Sequence, residues 1–258
     1  MAVQIRDAWA AYSNEWSNLR DIYLEIEVHP ADFIVAWFRG DNSSSWTVME
    51  YDSQAMTSHG EQNGAADTAM ASIDPGSNVG AKTIHGYYGN GTKISAYAVA
   101  LSGVKKSDPI AKTGSGVHHY SGAASAWSSS FVSDPAKGLE VVVGHCAIRP
   151  GTWTDYSVAP WGGGETWLAG KSGGTEVYTG IQYNRVAAPG VTSNPFALGH
   201  SSGNNDYTMF GISLNGAVAG NQMILMMARR IERFYEDLRL GLIPGYDLRR
   251  RYREAMAI

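Results

Sequence analysis

Gly199-His200-Ser201-Ser202-Gly203 fits G-x-S-x-G, the pattern that presents a serine nucleophile on a strained turn between a strand and a helix. The chemistry would be acyl transfer, and it needs a helix after the serine and a histidine further downstream. Neither is present. Gly203-Asn204-Asn205-Asp206 begins a turn, YTMFGISL reads as a strand, and His200 is the last histidine of the chain. The five residues are expected to be a loop. Leu168-Ala169-Gly170-Lys171-Ser172 imitates a phosphate-binding loop in the same way. The first glycine of G-x-x-x-x-G-K-[ST] would fall on Glu165, and Gly173-Gly174 plus a strand follow where a helix must open. Lys171 is expected to be a solvated loop residue.

Metal and acid–base patterns are equally thin. His118 and His119 are adjacent, so a strand would send them to opposite faces. His59-Gly60-Glu61 offers two ligands and nothing fixes a third. The lone Cys146 lies in the apolar run LEVVVGHCAI, where an inert buried thiol is expected. No metal site, no cofactor and no catalytic residue is expected, although a fold can assemble carboxylates that spacing does not reveal. WTDYSVAPWGGGETW is the most suggestive stretch. Trp153, Tyr156, Trp161 and Trp167 on a glycine-rich loop could stack on sugar rings, or could plug the end of a sandwich. The sequons Asn42-Ser43-Ser44 and Asn90-Gly91-Thr92 are read as turns.

The elements that must position these residues are strands. Charged residues make up only 17% of 258 residues, while 30 glycines, 14 tyrosines and 8 tryptophans point to strands joined by small-residue turns. DIYLEIEV alternates, with Ile22, Leu24, Ile26 and Val28 on one face. DFIVAWF is continuously apolar and predicts a strand covered on both sides. WTVMEY and QAMT flank Asp52-Ser53, a tight hairpin. KTIHGYY and TKISAYAVAL flank Gly89-Asn90-Gly91, a second expected hairpin. With TAMASID, SSSFVS, LEVVVGHCAI, EVYTGIQYNRV and YTMFGISL these make about ten strands. The expected fold is mainly β, an antiparallel sandwich or jelly roll over 21–218. The net charge of −4 argues against nucleic acid as a partner, no apolar stretch is long enough to cross a bilayer, and a soluble chain made in a cytoplasm is expected.

Two ends differ from this body. Ile5, Trp9, Tyr12, Trp16 and Leu19 recur at helical spacing and predict an N-terminal arm or short helix over 1–20. Over 219–258, Ile224, Met227, Ile231, Phe234 and Leu238 follow a 3-4-3-4 rhythm, the seam of a helix that packs against a partner. Gly241 caps it, and Asp247 can open a second short helix carrying Arg249, Arg250 and Tyr252. From Arg229 onward there are eight arginines and five acids, net +3, which leaves −7 on the rest. Ile224, Met227, Ile231, Phe234, Leu238, Arg249, Arg250 and Tyr252 are the expected subunit interface.

Several segments taken together resemble a loose group of β-sandwich proteins from phages, prophages and bacterial surfaces. TVMEYDSQAMT is similar to a strand–turn–strand written V-x-Y-x-G-x-A-M-T, with Asp52-Ser53 in place of the glycine-containing turn. AYAVALSGVKKSDPI is similar to a strand ending S-G-V-x-x-x-x-P, carried by Ser102-Gly103-Val104 and Pro109. FVSDPAKGLEVVVGHCAI and DYTMFGISLNGA resemble the next strand pair and the closing strand. The resemblance covers about residues 22 to 217 and implies a concanavalin-like or jelly-roll sandwich in a virion, with no catalytic residues to transfer. The expectation is a non-enzymatic, oligomeric virion component (head decoration, fibre, baseplate or tail protein) whose partners are other virion proteins. A glycan-binding receptor-recognition module and a hydrolase with a dispersed acidic site are the alternatives.

Overall fold

The computed structural model describes residues 3–12, 19–40, 44–62, 67–90, 94–121, 127–132, 140–149, 157–159, 165–172, 177–185, 192–199 and 204–217, with side chains chiefly before residue 114 and from 210. Residues 2–217 form one compact unit. The other unit, 218–258, lies outside the described residues, and with it the interface positions Ile224, Met227, Ile231, Phe234, Leu238, Arg249, Arg250 and Tyr252.

The described residues are mainly β, in antiparallel sheets, with no helix among them. An outer sheet runs β2 (Asp21–Val28), β8 (Gly80–Tyr88), β4 (Trp46–Tyr51) and β5 (Gln54–Ala55). A central sheet runs β1 (Gln4–Tyr12), β9 (Ile94–Ser102), β3 (Phe33–Gly40), β7 (Asp67–Ile73) and β6 (Thr57–Gln62). A third sheet runs β10 (Ile110–Ser121), β17 (Asn204–Asn215), β12 (Glu140–Arg149), β15 (Val177–Arg185) and β14 (Glu165–Ser172). β11 (Trp127–Val132), β16 (Thr192–Gly199) and β13 (Ser157–Ala159) make a small fourth sheet. The strands number 17 among the described residues, where sequence reading found about ten.

Side-chain pattern explains the layering. In β2, Ile22, Leu24, Ile26 and Val28 are buried and the alternate residues exposed, as the alternation predicts. Each such side chain contributes about 1.5–3 kcal/mol relative to an exposed one. β3 is buried at all eight positions. Its Ile34, Ala36 and Phe38 join the outer-sheet residues Ile22, Leu24, Ile26, Trp46, Tyr51, Ile84 and Tyr88 in one core. Its Phe33, Val35 and Trp37 join Phe210, Ile212 and Leu214 of β17 in a second core. The central sheet is therefore covered on both faces, which is why DFIVAWF carries no polar alternation. Alanine shapes the first face. Ala98, Ala36 and Ala71 lie side by side across β9, β3 and β7, leaving room for the large rings of the outer sheet.

The Asp52-Ser53 hairpin forms as expected, with Tyr51 paired to Gln54 and positive φ at both turn residues (47° and 65°). Two positive values suit the type I′ turn that matches strand twist, although neither residue is glycine. The Asn90-Gly91 hairpin does not form. β8 belongs to the outer sheet and β9 to the central one, so the chain crosses between layers there. Covering a sheet from outside requires such crossings, and that demand overrides the local turn cue. The N-terminal helix is also corrected. Residues Gln4–Tyr12 form β1, which pairs with β9. An irregularity between Ile5 and Asp7 inserts one residue and flips the alternation. Ile5 therefore faces the second core, while Trp9 packs on the first. Apolar side chains on both faces of β1 are what imitate a helical stripe.

The segment S-G-V-x-x-x-x-P is a clasp. Gly103 has φ 74°, and its carbonyl accepts from the Ala217 amide at 2.7 Å. Lys105 N donates to Asn215 O at 2.9 Å, and Asn215 N donates to Pro109 O at 2.8 Å. The β9–β10 connection thus holds the end of β17 against the central sheet.

Candidate functional site

The polar chemistry concentrates where β3, β7, β6 and β8 approach the connections to their neighbours. Asp67, the first residue of β7, is fully buried. Its Oδ2 accepts from the Tyr88 hydroxyl at 2.5 Å and from the Ser44 amide at 3.0 Å. The Tyr88 ring lies directly against Gly40, where any Cβ would come within 2.3 Å of it. Asp67 is on the central sheet and Tyr88 on the outer one, so this bond joins two layers. Glu61 at the end of β6 makes a second join, its Oε1 accepting from the Trp46 amide at 3.2 Å. Burial raises the Glu61 carboxyl above its ordinary range, with the Asp67 charge adding to the effect and the Trp46 and Ser45 hydrogen bonds opposing it.

A raised carboxyl close to another carboxylate is the electrostatic signature of acid–base catalysis. In this protein each carboxylate is already an acceptor for a backbone amide of the segment entering β4. Their visible work is to hold the outer sheet on the central one.

His59 gives a similar result. Its Nε2 lies 2.7 Å from Ser72 Oγ, the contact a serine nucleophile would make with its base. Ser72 is 2% exposed at the next-to-last position of β7, so the contact joins two neighbouring strands of the central sheet. His59 and Glu61, read in sequence as two ligands of one ion, make unrelated contacts. No group of three or more His, Cys, Asp or Glu side chains that could hold a metal occurs among the described residues.

Burial lowers the His59 pKa from 6.5. The folded state therefore resists the proton that the unfolded chain accepts, so stability is full above pH 6.5 and falls as pH drops through the lowered value. Unfolding midpoints measured between pH 7 and 5 are expected to decline, and His59→Gln to flatten that decline. Glu61 acts with opposite sign. Its raised carboxyl favours the fold at pH values below 4.5 and costs stability above its own titration.

A third carboxylate, Asp32, is 2% exposed at the β2–β3 turn. Arg6 grips it with Nε at 3.1 Å from Oδ1 and Nη2 at 2.8 Å from Oδ2, and the His29 amide donates at 2.7 Å. Arg6 Nη2 also donates to the Glu27 carbonyl at 2.6 Å, and Lys106 Nζ to the Asp32 carbonyl. Asp32 thus ties β1, the β2–β3 turn and the β9–β10 connection together.

The outer face of the outer sheet is different, because its groups meet solvent. Tyr23 is 60% exposed and stacks on His85 with centroids 4.6 Å apart and planes 10° apart. His85 Nε2 is 2.9 Å from Asp21 Oδ1, and its Nδ1 is 3.5 Å from Glu50 Oε2. Arg20 donates to the Tyr87 hydroxyl at 3.2 Å. Register places these groups side by side on β2, β8 and β4. No spacing rule brings residues 21, 23, 50 and 85 together, and only the exposed members of the β2 alternation pointed to this face.

Of the residues proposed for sugar stacking, Trp153, Tyr156 and Trp161 lie outside the described residues. Trp167 sits on β14, at an irregularity between Thr166 and Leu168, so that part of the stretch is strand rather than loop. Lys171 and Ser172 end the same strand. Gly199 closes β16 and Asn204 opens β17, so the G-x-S-x-G segment connects two strands. His118 and His119 occupy successive positions of β10, in register with Tyr207 and Asp206 of β17. Cys146 lies on β12, paired between Gly180 and Met209. Compared with protein-family models, curated proteins and solved structures, the chain matches none.

Proposed function

We propose that the chain is a non-enzymatic structural component of a tailed-phage-like particle, in head decoration, fibre or baseplate. The stacked antiparallel sheets would be its exposed sandwich body, of concanavalin-like or jelly-roll type. Segment 219–258 would be the helical element that grips neighbouring subunits and other virion proteins. One observation carries this reading. The body's buried carboxylates Asp67 and Asp32 and the half-buried Glu61 all serve as acceptors that tie sheets and turns to each other. Such groups make a stiff body, and stiffness is what a repeated shell or tail subunit requires. The sequence resemblance and the charge split of −7 against +3 add support. A seam of five large side chains at about 1.5–3 kcal/mol each could anchor a subunit before entropy costs, and repetition on a symmetric particle would multiply that affinity. Deleting 222–258 tests the assignment. Light scattering and co-assembly should report a folded body that no longer joins its assembly. Normal assembly by the truncated chain would refute the role given to the tail.

A second reading is favoured by the Tyr23–His85 stack between Asp21 and Glu50. Aromatic faces beside carboxylates suit pyranose recognition, and a receptor-reading module would carry such a surface outward. Glycan binding lost in Tyr23→Ala would support it at this face, and loss in Trp161→Ala would place it at the aromatic stretch instead.

A further inference from the structure

β2 ends the outer sheet and pairs with β8 alone. Bonded pairs alternate along an antiparallel ladder. The Tyr88 amide donates to the Arg20 carbonyl at 2.8 Å, so Ile22, Leu24, Ile26 and Val28 bond to β8. The N–H and C=O groups of Asp21, Tyr23, Glu25 and Glu27 therefore point out from the sheet edge. Arg6 agrees with this direction, since its Nη2 reaches the Glu27 carbonyl from the open side at 2.6 Å. Every other sheet edge among the described residues is blunted. β1, β6, β10, β14 and β11 each carry a register irregularity, and β5 and β13 have only two and three residues. β2 keeps an unbroken register from Asp21 to Val28. Its four edge side chains are all exposed. Glu25 and Glu27 form no ion pair with any described residue. Tyr23 at 60% and Leu19 at 46%, just before the strand, are the exposed large apolar side chains among the described residues.

We infer that the edge of β2 receives an extended segment of another protein, with lysine or arginine at every second residue, as a further strand of the outer sheet. Open main-chain groups bind any strand, and side chains select which one. Residues paired across a ladder lie on the same face. Every second residue of the added strand therefore stands beside Asp21, Tyr23, Glu25 or Glu27. A cation suits all of these positions, by charge at the three acids and over the ring at Tyr23. The intervening residues fall on the side of Ile22, Leu24 and Ile26, which favours β-branched ones. A second copy of β2 does not fit. Laid antiparallel along the same positions, it sets Asp21 of one copy against Glu27 of the other, with no cation on either edge. The inference is independent of whether the chain assembles or binds glycans.

The test uses the full chain and synthetic peptides, capped at both ends and long enough to span Asp21 to Glu27. Calorimetric titration with a peptide alternating lysine and threonine is expected to show saturable binding. In that strand the lysine amides face β2 and the threonine amides face away. N-methylation of the lysine amides keeps the charge and removes the donors, and should weaken binding about tenfold, while N-methylation of the threonine amides is tolerated. A peptide alternating glutamate and threonine should not bind. The double variant Glu25→Lys, Glu27→Lys is expected to lose about tenfold in affinity for the lysine peptide. The bound peptide should also slow hydrogen exchange at the Tyr23 and Glu25 amides. Equal binding of both N-methylated peptides would mean attraction to an acidic face alone and overturn the added strand. So would no binding by the lysine peptide, or equal binding by the glutamate one. Self-association that the peptide displaces would give the edge to a second copy and overturn the choice of occupant. If the double variant fails to fold, the comparison of peptides on the unaltered chain still decides.

Discussion

Trp37→Ala is expected to destabilise the chain by about 4–5 kcal/mol, the upper range for removing a large ring from a core. Trp37 is 0% exposed and sits in the middle of the second core. Its Nε1 donates to the Phe210 carbonyl at 2.9 Å, a bond that reaches from the central sheet to β17. The substitution therefore opens a cavity and removes a buried hydrogen bond together. Trp37→Phe separates the two effects. It keeps an aromatic ring in the core and loses the hydrogen bond with the smaller part of the indole volume, so a lower cost of about 2 kcal/mol is expected. Denaturant unfolding of the three proteins measures both. If Trp37→Ala and Trp37→Phe cost the same, the ring is not buried between layers.

Gly40→Ala is expected to cost about 3 kcal/mol, near the top of the range for overpacking. The added Cβ would fall 2.3 Å from the Tyr88 ring. That ring is fully buried and cannot swing aside without breaking its bond to Asp67. The cause can be isolated by a double-mutant cycle. In a Tyr88→Leu background the ring is gone, and Gly40→Ala should cost less than about 1 kcal/mol, a coupling of about 2 kcal/mol. Additive costs in the double variant would show that Gly40 is needed for its backbone and not for the ring.

How much of this was legible depended on whether the signal was local. The β2 alternation and the unbroken apolar run of β3 foretold which faces are buried, because burial imprints its period directly on a strand. The Asp52-Ser53 turn was legible from two flanking strands of opposite direction. The Asn90-Gly91 cue misled because turn chemistry states only that the chain can reverse, not which sheet it enters next. The N-terminus misled because β1 buries apolar side chains on both of its faces, Ile5 in the second core and Trp9 against the first, so no alternation marks it as a strand. The carboxylate joins were invisible for a different reason. Ser44, Asp67 and Tyr88 are separated by more than twenty residues at each step, and nothing in a single sequence records a contact between sheets.

The central claim is that one sheet, buried on both faces, is the rigid middle of the body, and hydrogen exchange tests it most directly. Amides of β3 and β9 should exchange only through global unfolding, at the full stability of the chain, while those of the outer-sheet edges β2 and β5 open locally and faster. If β3 and β9 exchange as readily as β2, the middle layer is not shared between two cores and the stiff-body account fails.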